Sequence, residues 1–285
     1  MIRRPRPGHP YLAGAPLLFA HRGGAKLAPE NTLEAFRISV ESWGADVLEM
    51  DVRGTRDGEL VVLHDPTVDR TTDGAGRVVD LTWGELKELD AGHRFLDLEG
   101  RPSFRGIGVR IPRFIEVLQA FPGVRLNVDA KDPSVAPQLL SLVREMGAQH
   151  RVLLASEHEA GRADRLGYEG PTSATRRQIR LFYLLHRLPG GAAYTPRVDA
   201  LQIPYRWEGR QVTTPGLIGE AHRRNIPVHV WTVDEPEVMR KLLTWRADGI
   251  QTDRPDLLAK VLHEQAGRPL PPALRDEDGS LPEAP

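Results

Sequence analysis

Short apolar runs alternate with amphipathic helical patterns along most of this chain, and no other sequence feature constrains its fold as much. The runs predict strands at residues 17–21, 47–52, 124–130, 151–156, 200–203, 227–233 and 249–251, with a weaker strand near 170–175. Strands that alternate with helices form parallel sheets, and eight of them close an α/β barrel of the (β/α)8 or TIM type. We therefore predict such a barrel, with a functional site where its strands end and its loops begin.

The first predicted helix covers residues 32–43, where apolar residues recur at helical spacing before Gly44. Asn31 and Glu34 stand three residues apart, as the two polar partners of a capping box do. We therefore expect Asn31 to cap this helix. The alternative role for Glu30 and Asn31 is to support neighbouring side chains of the site.

The predicted elements divide the chain into three parts. Residues 1–16 form an N-terminal extension, residues 17–264 the barrel, and residues 265–285 a flexible tail rich in Pro, Asp and Glu. Residues 59–111 are too long for an ordinary barrel loop, so we interpret them as a small insertion after the second strand. Prolines interrupt the arginine-rich start, so we expect neither a cleaved signal peptide nor a transmembrane segment.

The composition excludes several classes of function. The chain has 38 Lys and Arg residues against 39 Asp and Glu residues, and a net charge of -1 argues against a general nucleic-acid-binding protein. It has no cysteine, which excludes disulfides, thiolate zinc sites and a cysteine nucleophile. The absence of cysteine also suits a cytoplasmic location.

Two predicted strands carry charged residues on one face and apolar residues on the other. Glu49 and Asp51 alternate with apolar residues in the second strand, and Asp129 and Lys131 do so at the third. Buried like charges at a barrel mouth repel unless a cation or an opposite charge offsets them. Oxygen ligands without cysteine favour Ca²⁺ or Mg²⁺, with Mn²⁺ as an alternative. Pairing of the acids with Arg or Lys alone is the competing interpretation.

Two histidines, His21 and His64, each close a strand-like apolar run. Cleavage of a phosphodiester needs one group to activate the nucleophile and another to protonate the departing alcohol, and imidazoles suit both roles near neutral pH. Arg22 and Lys131 supply positive charge for an anionic phosphate. Together with the carboxylates, these residues favour phosphodiester chemistry. His229 shares a strand face with Trp231 in the seventh strand, so it either approaches the site or, as we expect, packs in the core.

At these residues the chain resembles the glycerophosphodiester phosphodiesterase family. The resemblance covers roughly residues 21–262, and the ordered combination of motifs is far more specific than any one of them. The matching segments are HRG (21–23), PENT (29–32), GADVLEMDV (44–52), TRDGELVVLHD (55–65), RTTDGAG (70–76), LTWGELKELDAG (81–92), VWTVD (230–234) and DGIQTDRPD (248–256).

The resemblance implies a TIM barrel with a small insertion after the second strand. It also implies metal-dependent hydrolysis of glycerophosphodiesters to sn-glycerol 3-phosphate and an alcohol. The implied site residues are His21 and His64 as the acid–base pair, Glu49, Asp51 and Asp129 as metal ligands, Arg22 and Lys131 at phosphate-contacting positions, and Trp231 beside the alcohol portion.

One position departs from the family pattern. The acid on the third strand is usually Glu in a motif like ExK, whereas here Asp129 precedes Ala130 and Lys131. Aspartate is one methylene shorter than glutamate. Either a water bridges it to the metal, or the backbone moves inward, or the affinity for metal is lower.

The sequence leaves the substrate open. Residues 176–188 interleave leucines and aromatic residues with arginines. They predict the fifth barrel helix, packed on the sheet, or a segment that meets an acyl chain at a membrane surface, in which case the enzyme would cleave lysophospholipids as some family members do. A barrel that binds phosphodiesters without hydrolysing them is a third alternative. The expected partner is a small phosphodiester, with transient membrane contact in the second case and the oligomeric state open.

Overall fold

The computed structural model describes residues 9–156, 159–188 and 194–275. Residues 1–8 of the predicted extension and 276–285 of the predicted tail lie outside the described residues. The strands in chain order are β1 (Leu17–Ala20), β2 (Val47–Gly54), β3 (Leu60–Val62), β4 (Arg125–Ala130), β5 (Val152–Ala155), β6 (Leu201–Pro204), β7 (Arg206–Trp207), β8 (Arg210–Gln211), β9 (Val228–Trp231) and β10 (Gly249–Thr252). The α-helices are α1 (Leu33–Glu41), α2 (Trp83–Leu86), α3 (Phe114–Ala120), α4 (Ala136–Glu145), α5 (Arg176–Leu185), α6 (Pro215–Arg223), α7 (Pro236–Thr244) and α8 (Pro255–Ala266).

Parallel pairing arranges seven of these strands in one curled sheet, in the order β5–β4–β2–β1–β10–β9–β6, and β7 and β8 form a separate hairpin. The two edges of the curled sheet meet through residues 172 and 173. Thr172 pairs in parallel with Leu154 of β5, and Ser173 pairs in parallel with Ala200 beside β6. The weak run near 170–175 thus fills the eighth position with isolated bridges instead of a full strand. The predicted (β/α)8 TIM barrel is confirmed.

Alternating side chains give the barrel an outer and an inner layer of packing. Leu48 and Met50 on the outward face of β2 are fully buried in a cluster with helix residues such as Phe36. Val47 shares the inward face with Glu49 but lies nearer the start of β2, and it joins Tyr11 in an inner apolar cluster. The inner cluster therefore fills the end of the barrel where the strands begin and leaves the charged residues for the other end. No α-helix in the described ranges has the length and apolar character needed to cross a membrane.

The residues that follow β2 build a small unit of their own. β3 pairs with β2 in antiparallel register, with Val62 opposite Val52. The segment beyond β3 has a separate apolar core, and Thr82 begins α2 with a capping box to Glu85. This core consists of Val61, Leu63, Val68, Val78, Leu86, Ala91, Val109 and Ile111. The segment is attached where β2 ends, which is the open end of the barrel.

The first helix begins one residue later than its sequence pattern indicates. Thr32, not Asn31, is its cap, since the Thr32 hydroxyl accepts a hydrogen bond of 3.2 Å from the amide of Ala35. Asn31 has a left-handed backbone conformation with φ 60°, and its side chain binds Asp51. The predicted capping role of Asn31 was therefore wrong, because its amide is used across the barrel rim.

His229 lies in the barrel interior, as expected for a core residue. Its ring is fully buried, with its centroid 4.6 Å from that of Phe19. Neither ring nitrogen has a hydrogen-bond partner among the described residues. Burial lowers the pKa of His229 to about 3, so the ring is neutral in the folded protein at ordinary pH.

This buried ring makes the fold sensitive to acid. The unfolded chain binds a proton at His229 below about pH 6.5 and the folded chain does not until about pH 3, so stability declines as the pH falls through this window. The free energy of unfolding of the wild type falls between about pH 7.5 and 5. We expect this fall to be about 2 kcal/mol smaller in His229→Leu. Urea unfolding at both pH values measures this change, with the exposed His150→Leu as a control. Equal losses in wild type and His229→Leu would contradict it.

Candidate active site

An open cleft of about 580 Å³ lies where the barrel strands end, because parallel strands bring their carboxyl ends to one face. The cleft is lined by every site residue that the sequence predicts. These residues are His21, Arg22, Glu49, Asp51, His64, Asp129, Lys131 and Trp231. Gln202 and Gln251 also line it.

Two buried carboxylates form the centre of the cleft. Glu49 and Asp51 project from the inward face of β2 and are 6% and 1% exposed. Burial and the nearby charge of Asp51 raise the pKa of Glu49, although its Oε2 accepts a hydrogen bond of 2.8 Å from the amide of Arg22. Burial also opposes ionisation of Asp51, but the charges of Lys131 and Arg22 outweigh it and lower the pKa of that carboxyl. The two acids thus need positive charge around them.

Lys131 and Arg22 provide this charge from two other strand ends. Lys131 follows β4, and its Nζ lies 2.9 Å from Asp51 Oδ1 and 2.6 Å from Asp129 Oδ2. Arg22 follows β1 in a turn where its φ is 49°, and its Nε lies 3.4 Å from Asp51 Oδ2. Asn31 adds a neutral donor, with Nδ2 at 2.9 Å from Asp51 Oδ2.

Both histidines present the same ring nitrogen to a carboxylate. His21 Nδ1 lies 2.7 Å from Asp253 Oδ1, and His64 Nδ1 lies 2.7 Å from Asp65 Oδ1. An ionised carboxylate only accepts hydrogen bonds, so each Nδ1 donates and each Nε2 is the nitrogen left for proton transfer. Burial lowers the pKa of His21, but the charges of Glu49 and Asp253 outweigh it and raise the pKa above its usual value.

Sequence reasoning missed the carboxylates that orient these rings. Asp65 directly follows His64, and Asp253 directly follows β10. Asp253 is held in turn, because its amide donates a hydrogen bond of 2.8 Å to Asp234 Oδ1. An acidic residue just beyond a strand end was the available signal, but nothing in the sequence pairs Asp253 with His21 across 232 positions.

The donor chemistry of Glu49 and Asp51 fits a hard divalent cation, since neighbouring buried carboxylates repel each other and a cation would relieve that repulsion. In the part of the chain that the structure describes, no group of three His, Asp or Glu side chains is arranged to hold a metal ion. Asp129 Oδ2 binds Lys131 at 2.6 Å. The arrangement therefore provides a two-carboxylate site, with Asp129 beside it in an ion pair.

One wall of the cleft is apolar. Ile179, Tyr183 and Leu184 of α5 line it, together with Trp207 at the hairpin formed by β7 and β8. Leu184 is 64% exposed and Trp207 is 46% exposed. α5 turns Phe182 towards the core, as expected for an outer barrel helix, but its other side faces the site. The predicted packing of this helix on the sheet is confirmed, and contact with an acyl chain stays a prediction.

Comparisons with known proteins agree on the kind of protein that this chain resembles. The model of the "Glycerophosphoryl diester phosphodiesterase family" matches residues 21–257. The chain is 34% identical over 256 residues to the "Probable glycerophosphodiester phosphodiesterase 2" of Mycobacterium tuberculosis, covering 87% of this chain and 91% of that protein. The crystal structure of a glycerophosphodiester phosphodiesterase from Agrobacterium tumefaciens has a TM-score of 0.69 and 29% identity, covering 86% of this chain and 99% of the other. An Oleispira antarctica phosphodiesterase, solved with the product sn-glycerol-3-phosphate, shares the fold with a TM-score of 0.69 and 23% identity, covering 87% and 97%.

Proposed function

The chain belongs to the glycerophosphoryl diester phosphodiesterase family and is a phosphodiester hydrolase, and from this premise we propose that two histidines and a divalent cation carry its reaction. The substrate is a glycerophosphodiester, and the products are sn-glycerol 3-phosphate and an alcohol. The first of these is also the product bound by the Oleispira antarctica neighbour. The observation that carries the proposal is a shared cleft in which both carboxylate-held histidines face a buried acid centre.

In this proposal Arg22 and Lys131 bind the negatively charged phosphate. Both cations lie beside Asp51 and line the cleft, so their remaining donors are available to the non-bridging oxygens of a phosphodiester. Glu49 and Asp51 would hold the cation, with Asp129 as the proposed third ligand. When bound, that cation supplies further neutralisation of the phosphate charge.

The histidines handle the protons. The Nε2 atom of one histidine accepts a proton from the attacking hydroxyl, which belongs to water or to the substrate's own neighbouring hydroxyl. Attack by the substrate's hydroxyl gives a cyclic phosphate, which a second attack by water then opens to sn-glycerol 3-phosphate. A new bond forms to phosphorus while the bond to the alcohol oxygen breaks. The Nε2 atom of the other histidine gives its proton to that oxygen. Asp65 and Asp253 keep the two rings in the tautomer that this exchange needs.

A second substrate class is favoured by the apolar wall of the cleft. Ile179, Tyr183 and Leu184 offer a surface for an acyl chain next to the phosphate-binding residues. Arginines flank this wall on α5 and on the hairpin, which suits a negatively charged membrane surface. Cleavage of lysophospholipids at a membrane surface is therefore the second candidate. Because the chain is an enzyme, we set aside the non-hydrolytic barrel.

We expect His21→Ala and His64→Ala each to lower kcat by about 10²-fold or more, since each removes a proton carrier. Release of sn-glycerol 3-phosphate from glycerophosphocholine measures the loss. His93→Ala serves as the control, because His93 lies in the insertion and does not line the cleft. A fully active, folded variant of His21 or His64 would remove that residue from the mechanism.

We expect chelation to abolish turnover and Ca²⁺, Mg²⁺ or Mn²⁺ to restore it. Asp129→Glu should bind metal more tightly than wild type, because glutamate reaches one methylene further, and Asp129→Ala should bind it about 10-fold more weakly. Calorimetric titration of each metal gives these affinities without relying on activity. If both variants keep the wild-type affinity, Asp129 is not a ligand.

Vesicles separate the two substrate classes. If lysophospholipids are substrates, Leu184→Glu should lower turnover of lysophosphatidylcholine in anionic vesicles and leave turnover of soluble glycerophosphocholine unchanged. Leu166→Glu is the matched control, since Leu166 is also exposed, at 40%, and does not line the cleft. Absence of lysophosphatidylcholine cleavage by the wild type excludes the second candidate.

A further inference from the structure

Arg70 of the insertion joins two acids from different segments of the chain, Asp65 after β3 and Glu30 before α1. Its Nε lies 2.5 Å from Asp65 Oδ2, and its Nη1 and Nη2 each lie 2.7 Å from an oxygen of Glu30. The guanidinium therefore donates two hydrogen bonds to Glu30 and one to Asp65. Bidentate, charge-assisted contacts of this kind fix orientation as well as distance.

Each of these acids also holds a residue of the proposed mechanism. The second oxygen of Asp65 accepts the hydrogen bond from His64 Nδ1. Glu30 Oε1 accepts a hydrogen bond of 3.1 Å from Arg22 Nη1. A continuous series of contacts thus runs from Arg22 through Glu30, Arg70 and Asp65 to His64.

We propose that Arg70 is a positioning residue that fixes the orientation of both the phosphate-binding Arg22 and the proton-carrying His64. This inference rests on the roles given to Arg22 and His64 under the proposed function. Without Arg70, the ion pairs left to these acids among the described residues are that of Glu30 with Arg22 and that of Asp65 with His64, so each acid loses a contact that fixes its orientation. Lysine cannot replace Arg70, because a single ammonium cannot donate two parallel hydrogen bonds to Glu30 and also reach Asp65.

The geometry also explains how the insertion bears on catalysis. Arg70 follows Val68, which belongs to the separate core of the insertion, whereas Glu30 precedes α1 on the barrel. The side chain of Arg70 is 48% exposed and that of Glu30 is 12% exposed, so a half-exposed arginine reaches in to a mostly buried acid. The contact joins the insertion to the barrel rim, and His64 and Asp65 lie within the insertion, between Leu63 and Val68 of its core.

The test compares Arg70→Ala and Arg70→Lys with Arg101→Ala. Arg101 is a matched control, because it also bridges two acids, Asp97 and Glu99, but neither of them contacts a residue of the proposed mechanism. We measure kcat and KM for glycerophosphocholine, the affinity for sn-glycerol 3-phosphate by calorimetry, and the melting temperature. Asp65→Asn and Glu30→Gln separate the two arms of the bridge.

We expect both Arg70 variants to lose about 10²-fold in kcat and about 10-fold in affinity for sn-glycerol 3-phosphate. Asp65→Asn should lower kcat alone, and Glu30→Gln should mainly weaken binding. Added guanidinium should restore part of the activity of Arg70→Ala and none of that of His64→Ala. Arg101→Ala should keep wild-type activity.

The inference is overturned if Arg70→Ala keeps wild-type kcat and affinity while His64→Ala and Arg22→Ala are inactive. It is also overturned if the loss in Arg70→Ala follows a fall in melting temperature and guanidinium does not reverse it. If His64→Ala and Arg22→Ala are themselves fully active, the proposed function fails first, and the two failures remain distinguishable.

Discussion

Burial of two carboxylates on one strand is the constraint around which this site is organised. Glu49 and Asp51 share the inward face of β2, where water is largely excluded and like charges repel strongly. Donors from several other segments contact Asp51, among them Lys131, Arg22 and Asn31. The barrel makes this possible because strands that are distant in sequence end side by side.

The same geometry explains why the residues of the candidate site gather at one end of the barrel. In β2 the inward face begins with Val47, which packs in the inner apolar cluster, and continues with Glu49 and Asp51 at the cleft. Glu49 pairs in register with Asn127, and Asp51 with Asp129, so the polar rows of two strands align across the sheet. A shift of one residue in either strand would turn its charged side chains towards the helices and its apolar side chains into the cleft.

The fold and the central site residues could be predicted because both depend on local patterns. Period-two alternation in β2 and β4 separates charged from apolar faces, and His21 and His64 follow apolar runs. The remaining features depend on tertiary contacts. Asn31 has the sequence of a helix cap, yet its amide binds Asp51 and Thr32 caps the helix. Asp253 reaches His21 only because β10 lies beside β1, and α5 contributes a wall because the barrel curls back to it.

Lys131 forms ion pairs with both Asp51 and Asp129, and these charges contribute to the net charge of the cleft. Glu49, Asp51 and Asp129 set against Arg22 and Lys131 leave one surplus negative charge when all are ionised, and a divalent cation would change that surplus to one positive charge. A phosphodiester carries one negative charge and is neutralised by such a centre, whereas a phosphomonoester near neutral pH approaches two. The centre would then balance the charge of the substrate that enters and attract the doubly charged product more strongly than the substrate, so release of the product is the step that this charge distribution would slow.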